Sequence, residues 1–206
     1  MNMYPERDEK TMAQVSLKNL VIAPLSAESA GSAPTYTAGH KVGHLMKANI
    51  SWNRGDVKLY GDDKLAEYIK SLTDADIELE TTELTAETAV LMGLEVEKTA
   101  AATGTPAIYT MVTDQSESVG VGYVAVDFIN GEKVYTGVWV HKVTFTRNNE
   151  ERSTKEDTVN WQTPTVSGKC WPLALGTNGE NQIRDFAEFE TETAAIAWVN
   201  SKAGIT

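Results

Sequence analysis

Three things are scarce in this chain, and each scarcity removes a class of protein. Cys170 is the only cysteine among 206 residues, so an intramolecular disulfide and a thiolate metal site within one chain are both excluded. No apolar run approaches the roughly 18 residues needed to span a bilayer. Basic residues number 18 against 29 acidic ones, for a net charge of -11. A protein that grips nucleic acid needs clustered Lys and Arg to neutralise phosphates, so that class is disfavoured too.

Catalytic and ligand-binding signatures are also missing. Val119–Ala125 contains G-x-G-x-x-A, but a dinucleotide site needs that motif to follow a strand and open a helix, and here it lies in a β-rich segment. The glycines there favour close strand packing or a bend. His40 and His44 have a helical spacing, but Gly39 and Gly43 disfavour a helix. We therefore expect no enzyme, no metal and no cofactor.

The N-terminal half begins with a polar arm, residues 1–15, that carries no apolar core and is not a signal peptide. Leu17–Leu25 predicts a first strand that ends at Pro24. The next segment, Ser26–Gly39, is small and polar, which predicts a flexible loop. Loops of this length in a compact domain are usually functional or disordered. The loop is expected to have a function.

The following segment predicts short strands separated by turns. Val42–Trp52 alternates loosely, Asn53–Asp56 is typical of a turn, and a second turn is expected at Gly61–Asp63. Asp74–Leu84 alternates more cleanly and predicts a half-buried strand. Ile77, Leu79 and Thr81 are expected on one side of this strand, and Glu78, Glu80 and Thr82 on the other.

Two helices are predicted from capping signals. Thr85 is a good N-cap for a short helix over Ala86–Met92, and Gly93 ends it. Thr191–Lys202 predicts a C-terminal helix, with Gly204 beyond its end.

The clearest hairpin joins Val119–Ile129 to Glu132–Thr146. Asn130-Gly131 connects them, a residue pair that suits a type I′ turn because both central positions need positive φ. Val159–Ser167 is a further strand, and Pro164 within it predicts an edge strand or a bulge. The sequence thus predicts a mainly β protein rich in edges and loops, which favours assembly over catalysis.

A carbohydrate-binding β-sandwich is the competing interpretation. It would share the β content, and five tryptophans could form a sugar platform, although tryptophans more often anchor a core or a subunit contact. Such a module is usually secreted, and the polar N-terminus shows no export signal. A small hydrolase is a third class, without a catalytic constellation to support it.

Four stretches in order carry a resemblance to a known family. They are Leu17–Leu25, Leu59–Glu67, Ile77–Gly93 and Thr154–Gly168. Together they resemble the major tail protein family of long-tailed, siphovirus-type bacteriophages, whose members form the tail tube. The charged arm and the chain beyond Gly176 add nothing to the resemblance.

The resemblance implies a single tail-tube β-sandwich or barrel over residues 16–206, with a short flanking helix. It implies hexameric rings that stack into a tube, with sheets of neighbouring subunits joined around the lumen. The implied partners are other copies of the chain and the tape measure, tail terminator and distal tail proteins. DNA would pass through without specific binding, helped by the acidic charge, and no membrane is implied. The implied location is the virion tail, after synthesis in the host bacterial cytoplasm.

We expect self-assembly contacts in three places: around the Ser26–Gly39 loop, on the second arm of the hairpin, and in the mixed-charge loop Arg147–Thr158. Exposed edge strands template pairing with another chain, and mixed charges suit ion pairs between rings. The candidate residues are Pro34, Tyr36, His40, Thr136, Val138, Arg147, Arg152, Lys155, Glu156 and Asp157.

Overall fold

The chain is mainly antiparallel β-structure in the residues that the computed structural model describes, 12–37, 39–61, 64–111, 117–129, 131–148, 163–175 and 180–205. The strands are β1 (Met12–Ala27), β2 (Thr35–Tyr36), β3 (His40–Lys41), β4 (Leu45–Gly61), β5 (Lys64–Thr81), β6 (Val96–Thr99), β7 (Ile108–Thr110), β8 (Val119–Ile129), β9 (Glu132–Arg147), β10 (Thr165–Cys170), β11 (Leu173–Ala174), β12 (Asn181–Gln182) and β13 (Arg184–Phe189). The helices are α1 (Ala86–Leu91) and α2 (Glu192–Lys202).

Most strands belong to one sheet in the order β2-β1-β8-β9-β10-β5-β4, with β3 paired to β1 and β13 paired to β9. The predicted hairpin is confirmed: β8 and β9 pair from Ile129↔Glu132 onward. Gly131 has φ 86°, as the second position of a type I′ turn requires. Asn130 lies outside the described residues.

This hairpin lies in the middle of the sheet, and the expectation that it forms an edge is wrong. β8 is flanked by β1 and β9. β9 pairs with β8 on one side, and with β13 and then β10 on the other. β8 and the middle of β9 are rich in apolar residues because both of their faces are covered, which is the pattern of a central strand.

Two prolines have effects that differ from the prediction. Pro24 does not end the first strand, since it pairs with Val119 and β1 continues to Ala27. Pro164 does not make β10 an edge, because β10 pairs with both β5 and β9. Pro164 precedes the strand, where its missing N–H costs no ladder bond, and its carbonyl accepts from Thr81 N at 3.1 Å.

β4 and β5 form one long hairpin. The turn predicted at Asn53–Asp56 is wrong, because β4 continues through it with only a register shift between Asn53 and Arg54. The outer pairs, from Arg54↔Leu72 to Gly61↔Lys64, lie beyond the part of β5 that β10 covers. Eight residues at about 3.3 Å each extend this ribbon by about 26 Å.

Two apolar clusters cover the two faces of the sheet. The larger joins β5 and β10 to β1, β8 and β9, with α1 packed against them. Ile77, Leu79 and Thr81, predicted to share one side of their strand, are all buried there, at 1%, 0% and 2% exposure. The smaller cluster lies under α2, on the opposite face of β1, β8 and β9. The architecture is consistent with a β-sandwich, and both predicted helices are confirmed.

The glycines of β8 make room for Trp139 and α2. A β-carbon at Gly120 would lie 2.5 Å from Trp139 Cζ2, and one at Gly122 would lie 2.5 Å from Trp139 Cε3 and 2.6 Å from Val199 Cγ1. Real β-carbons do not approach that closely. This confirms that the glycines serve close packing.

We expect the Thr85→Ala change to destabilise the protein by about 1 kcal/mol. Thr85 Oγ1 accepts from Thr88 N at 3.2 Å and caps α1, so alanine leaves that N–H without its partner. Thr191→Ala at the start of α2 is the matched comparison. Thr191 Oγ1 lies 3.4 Å from Ala194 N, so Thr191→Ala should lower the free energy of unfolding by less. Urea unfolding of both variants measures this; equal or reversed losses would contradict it.

Candidate assembly surface

Of the predicted assembly residues, the structure brings Pro34 and Tyr36 together beside one cavity. Tyr36 makes its contacts inside its own subunit. Its hydroxyl donates to His141 O at 2.9 Å and accepts from Trp139 Nε1 at 3.2 Å. Its ring meets Trp139 edge-on, 5.1 Å between centroids. Burial raises the pKa of Tyr36 to about 12.

The prediction that Ser26–Gly39 is a flexible loop does not fit the described part of that segment, which is hydrogen-bonded to the rest of the chain. Gly31 N donates to Ala174 O at 2.7 Å, and Gly39 N donates to Ala203 O at 2.9 Å. Glu28 accepts from Lys142 at 2.8 Å. These contacts hold the loop against the body of the same chain.

The hairpin residues Thr136 and Val138 are not available as edge contacts. Val138 is 5% exposed and belongs to the larger core cluster. Thr136 is half-buried, pairs with Glu188 of β13, and donates to Asp127 Oδ2 at 3.0 Å. The backbone of both residues is already paired on each side, so no free edge is left for a neighbour.

The remaining candidates are scattered. His40 is exposed and lies in β3, paired with Ile22 of β1. Arg147 is half-buried at the end of β9 and forms an ion pair with Glu95 of its own subunit. Arg152, Lys155, Glu156 and Asp157 lie outside the described residues.

A wholly polar sheet face is the feature that sequence analysis missed. Alternation along β4, β5, β10 and β9 turns apolar side chains into the core and polar ones outward. The registers Asn49↔Glu78, Ser167↔Glu78 and Ser167↔Thr146 place the outward residues side by side. The outward residues are Lys47, Asn49, Ser51, Asn53, Asp74, Asp76, Glu78, Glu80, Thr144, Thr146, Thr165, Ser167 and Lys169. We call this set the polar face.

Hydrogen bonds and ion pairs connect the polar face from strand to strand. Asn53 Nδ2 donates to Asp74 at 2.6 Å and to Asp76 at 2.7 Å. Lys47 meets Glu78 at 2.7 Å, and Lys169 meets Asp74 at 3.2 Å. Such cross-strand pairs fix side-chain positions on a sheet.

The polar face keeps an excess of negative charge. It carries four carboxylates, all on β5, against the two ammonium groups of Lys47 and Lys169. The hydrogen bond from Asn53, assisted by Lys169, lowers the pKa of Asp74. The hydrogen bond to Glu78 raises the pKa of Lys47. Asp74 and Lys47 therefore remain charged at neutral pH.

Four strands of the large sheet pair on one side only within the described part of the chain, and two of them, β2 and β3, are two-residue strands that pair with β1. β4 ends the sheet order and pairs only with β5, while β13 pairs only with β9. β4 borders the polar face, so its open edge could continue that face into another strand. An open edge is a template for another chain.

An aromatic patch lies where β4 and β13 approach each other. The Arg184 guanidinium stacks on Trp52 at 4.9 Å and on Phe186 at 5.5 Å from the ring centroids. Trp52 is 37% exposed, Phe186 60% and Leu72 43%. The patch therefore presents partly exposed apolar surface beside the open edges of β4 and β13.

The sequence matches no protein-family model and no curated protein. In the described segments, neither helix is long and apolar enough to cross a membrane.

Proposed function

We propose that this chain is the tail-tube subunit of a long-tailed bacteriophage, which assembles into hexameric rings that stack as the conduit for DNA ejection. The observation that carries the proposal is the polar face: a wall of polar side chains on four strands, backed by the core and bordered by the open edge of β4. The sequence resemblance supports the same function. Its partners are other copies of the chain and the tape measure, tail terminator and distal tail proteins.

The chemistry of the polar face suits a surface that DNA slides past. Polyanionic DNA adsorbs where Lys and Arg cluster, whereas here carboxylates outnumber ammonium groups. Exposed aromatic rings would stack on bases; the residues of the polar face include none, and Trp171 beside Lys169 is covered in part by the Lys169 ammonium, 5.6 Å from its ring centroid. Repulsion between like charges acts over about 8 Å at physiological salt, so it is felt only against a close wall.

The open edges suit ring formation. A ring of identical subunits is closed by contacts between different surfaces on each neighbour. Pairing at the β4 edge would extend the sheet from one subunit to the next and leave the polar face continuous. The aromatic patch beside this edge would add buried apolar area.

We expect the purified full chain to form hollow tubes of regularly spaced rings when it is concentrated and incubated. Negative-stain electron microscopy and sedimentation velocity measure this directly. Bovine serum albumin, another acidic protein, taken through the same steps provides the baseline. A chain that stays strictly monomeric at every concentration would contradict self-assembly.

The second candidate function is a carbohydrate-binding module, favoured by the exposed rings of Trp52 and Phe186. Arg184 already covers part of both rings, and Lys169 lies 5.6 Å from the centroid of Trp171. These cations reduce the area of aromatic ring face that is free to stack against a sugar. Retention of a monomer on cellulose or chitin, abolished by Trp52→Ala, would favour this function over tube assembly.

A further inference from the structure

A buried cluster of ionisable groups joins β9, β13 and the end of α2, away from the polar face. His141 is 3% exposed, and its Nε2 lies 3.2 Å from Asp185 Oδ1. The other carboxylate oxygen of Asp185 accepts from Lys202 Nζ at 2.8 Å. One carboxylate therefore connects a buried imidazole to the last residue of α2.

The protonation state of the cluster follows from these contacts. Burial acts to raise the pKa of Asp185, but the hydrogen bond from Lys202 and the nearby His141 outweigh it and hold that pKa below 3.8. Asp185 is therefore an acceptor at neutral pH, and His141 Nε2 carries the proton. His141 Nδ1 is then a bare acceptor, buried and without a hydrogen-bond partner in the described part of the chain.

His141 resists a second proton. Burial lowers its pKa below the ordinary 6.5; Asp185 opposes this effect, and Lys202 adds to it. The third ionisable group beside it, Tyr36 from β2, stays neutral because its pKa is about 12. Asp185 from β13 and Lys202 from α2 are thus the charges that face His141 from the neighbouring elements.

Asp185 has two contacts, one with His141 and one with Lys202, and the contact with Lys202 is the easier one to break. The cluster borders a cavity of about 370 Å³. Lys202 reaches the cluster through a flexible four-carbon stem, and its side chain is 36% exposed. Water can therefore solvate the Lys202 ammonium when it leaves Asp185, whereas the His141 ring stays buried on β9.

We propose that this cluster is a proton-sensitive latch on the C-terminal end of α2: neutral His141 keeps the helix docked, and a proton on Nδ1 releases it. The added N–H is a buried donor without an acceptor, which is costly. The new imidazolium also competes with Lys202 for the single carboxylate. When Lys202 is released and the last turn of α2 frays, water can reach the new N–H, and His141 no longer shares the carboxylate with Lys202. The latch belongs to one subunit and does not depend on the proposed function.

The direction of the pH effect follows from linkage. In the opened state His141 meets water and its pKa returns toward 6.5, whereas in the docked state its pKa is lower. Docking is therefore fully stable above about pH 6.5 and weakens as the pH falls toward the docked-state pKa. One proton changes the opening equilibrium by at most tenfold per pH unit. The stabilisation from ionised Asp185 is lost only as the pH falls below about 3.8, outside this window.

The test is an NMR study of the full chain between pH 7.5 and 5.5. Imidazole nitrogen shifts give the titration of each histidine, and hydrogen exchange gives the protection factors of the α2 amides. We expect His141 to titrate below 6.5 and the protection of the last α2 turn to fall by up to tenfold per pH unit. The fall should vanish in His141→Gln and persist in His44→Gln, whose histidine is exposed.

Several results would overturn the latch. They are a His141 titration at or above 6.5, α2 protection that does not change with pH, and a fall that survives in His141→Gln. If His141→Gln does not fold, the wild-type titration and exchange decide the matter, with Lys202→Met as the second variant. Lys202→Met should fray the same turn already at pH 7.5, because Asp185 then loses its partner on α2.

Discussion

Gly122→Ala is expected to lower the free energy of unfolding by about 1–3 kcal/mol, and Gly122→Val by more. The new β-carbon would lie 2.5 Å from Trp139 and 2.6 Å from Val199. Both of those side chains are completely buried, so neither can move into solvent. Since a domain of this kind is stable by only about 5–15 kcal/mol, the valine variant is expected to lose the docking of α2. Urea unfolding followed by tryptophan fluorescence measures the loss.

Gly55→Ala is the matched control, because it lies in β4 with more accommodating neighbours. Its β-carbon would lie 3.2 Å from Thr73 Cγ2 and 3.7 Å from Ser71 Oγ, and both neighbours are exposed. A change of about 0.5 kcal/mol or less is expected. If Gly122→Ala unfolds at the wild-type urea concentration, Trp139 and α2 do not pack as tightly as described.

The parts of the fold predicted from sequence are those set by a few neighbouring residues. Asn130-Gly131 specifies a hairpin because few other pairs accept positive φ at both positions. Thr85 and Gly93 delimit α1 because one supplies an acceptor to a free N–H and the other has φ 70°. Such signals need no knowledge of the rest of the chain.

The errors come from pairing between distant segments. Asn53–Asp56 has the composition of a turn, yet 16 pairs with β5 hold it in a strand. Pro164 suggests an edge, yet β5 and β9 approach from elsewhere in the chain and enclose the strand that follows. Turn propensities are weak compared with a long ladder of backbone hydrogen bonds, and the sequence does not say which strands become neighbours.

The choice of Thr136 and Val138 as joining residues meets the same difficulty. The strong strand signal of β9 and its substantial side chains on both faces predict a sheet that joins subunits, but the same pattern is typical of a central strand covered on both faces. The alternation of Asp74, Asp76, Glu78 and Glu80 with apolar residues was visible in the sequence. That it forms part of a wide polar face became visible only once β4, β10 and β9 were placed beside β5.

Reversing charge on the polar face is expected to turn a non-adhesive wall into one that retains DNA. Asp76→Lys combined with Glu80→Lys leaves two carboxylates and four lysines on the polar face of each subunit. Tubes assembled from this variant with linear duplex DNA should hold it at 50 mM salt and release it as salt rises. With 6–10 phosphate contacts the affinity should fall by about 10³–10⁵ between 50 and 200 mM. Co-sedimentation measures retention, and nuclease digestion shows whether the DNA is enclosed.

The control carries the same charge change elsewhere on the subunit. Glu97→Lys with Glu132→Lys alters two exposed residues, on β6 and at the start of β9, and neither belongs to the polar face. If the polar face lines the lumen, the first variant should protect DNA from nuclease, whereas the control should bind DNA only where nuclease reaches it. DNA that is bound by the first variant yet fully digested would place the polar face on the outside of the tube. Wild-type tubes should retain no DNA at either salt concentration, because carboxylates outnumber ammonium groups along their wall.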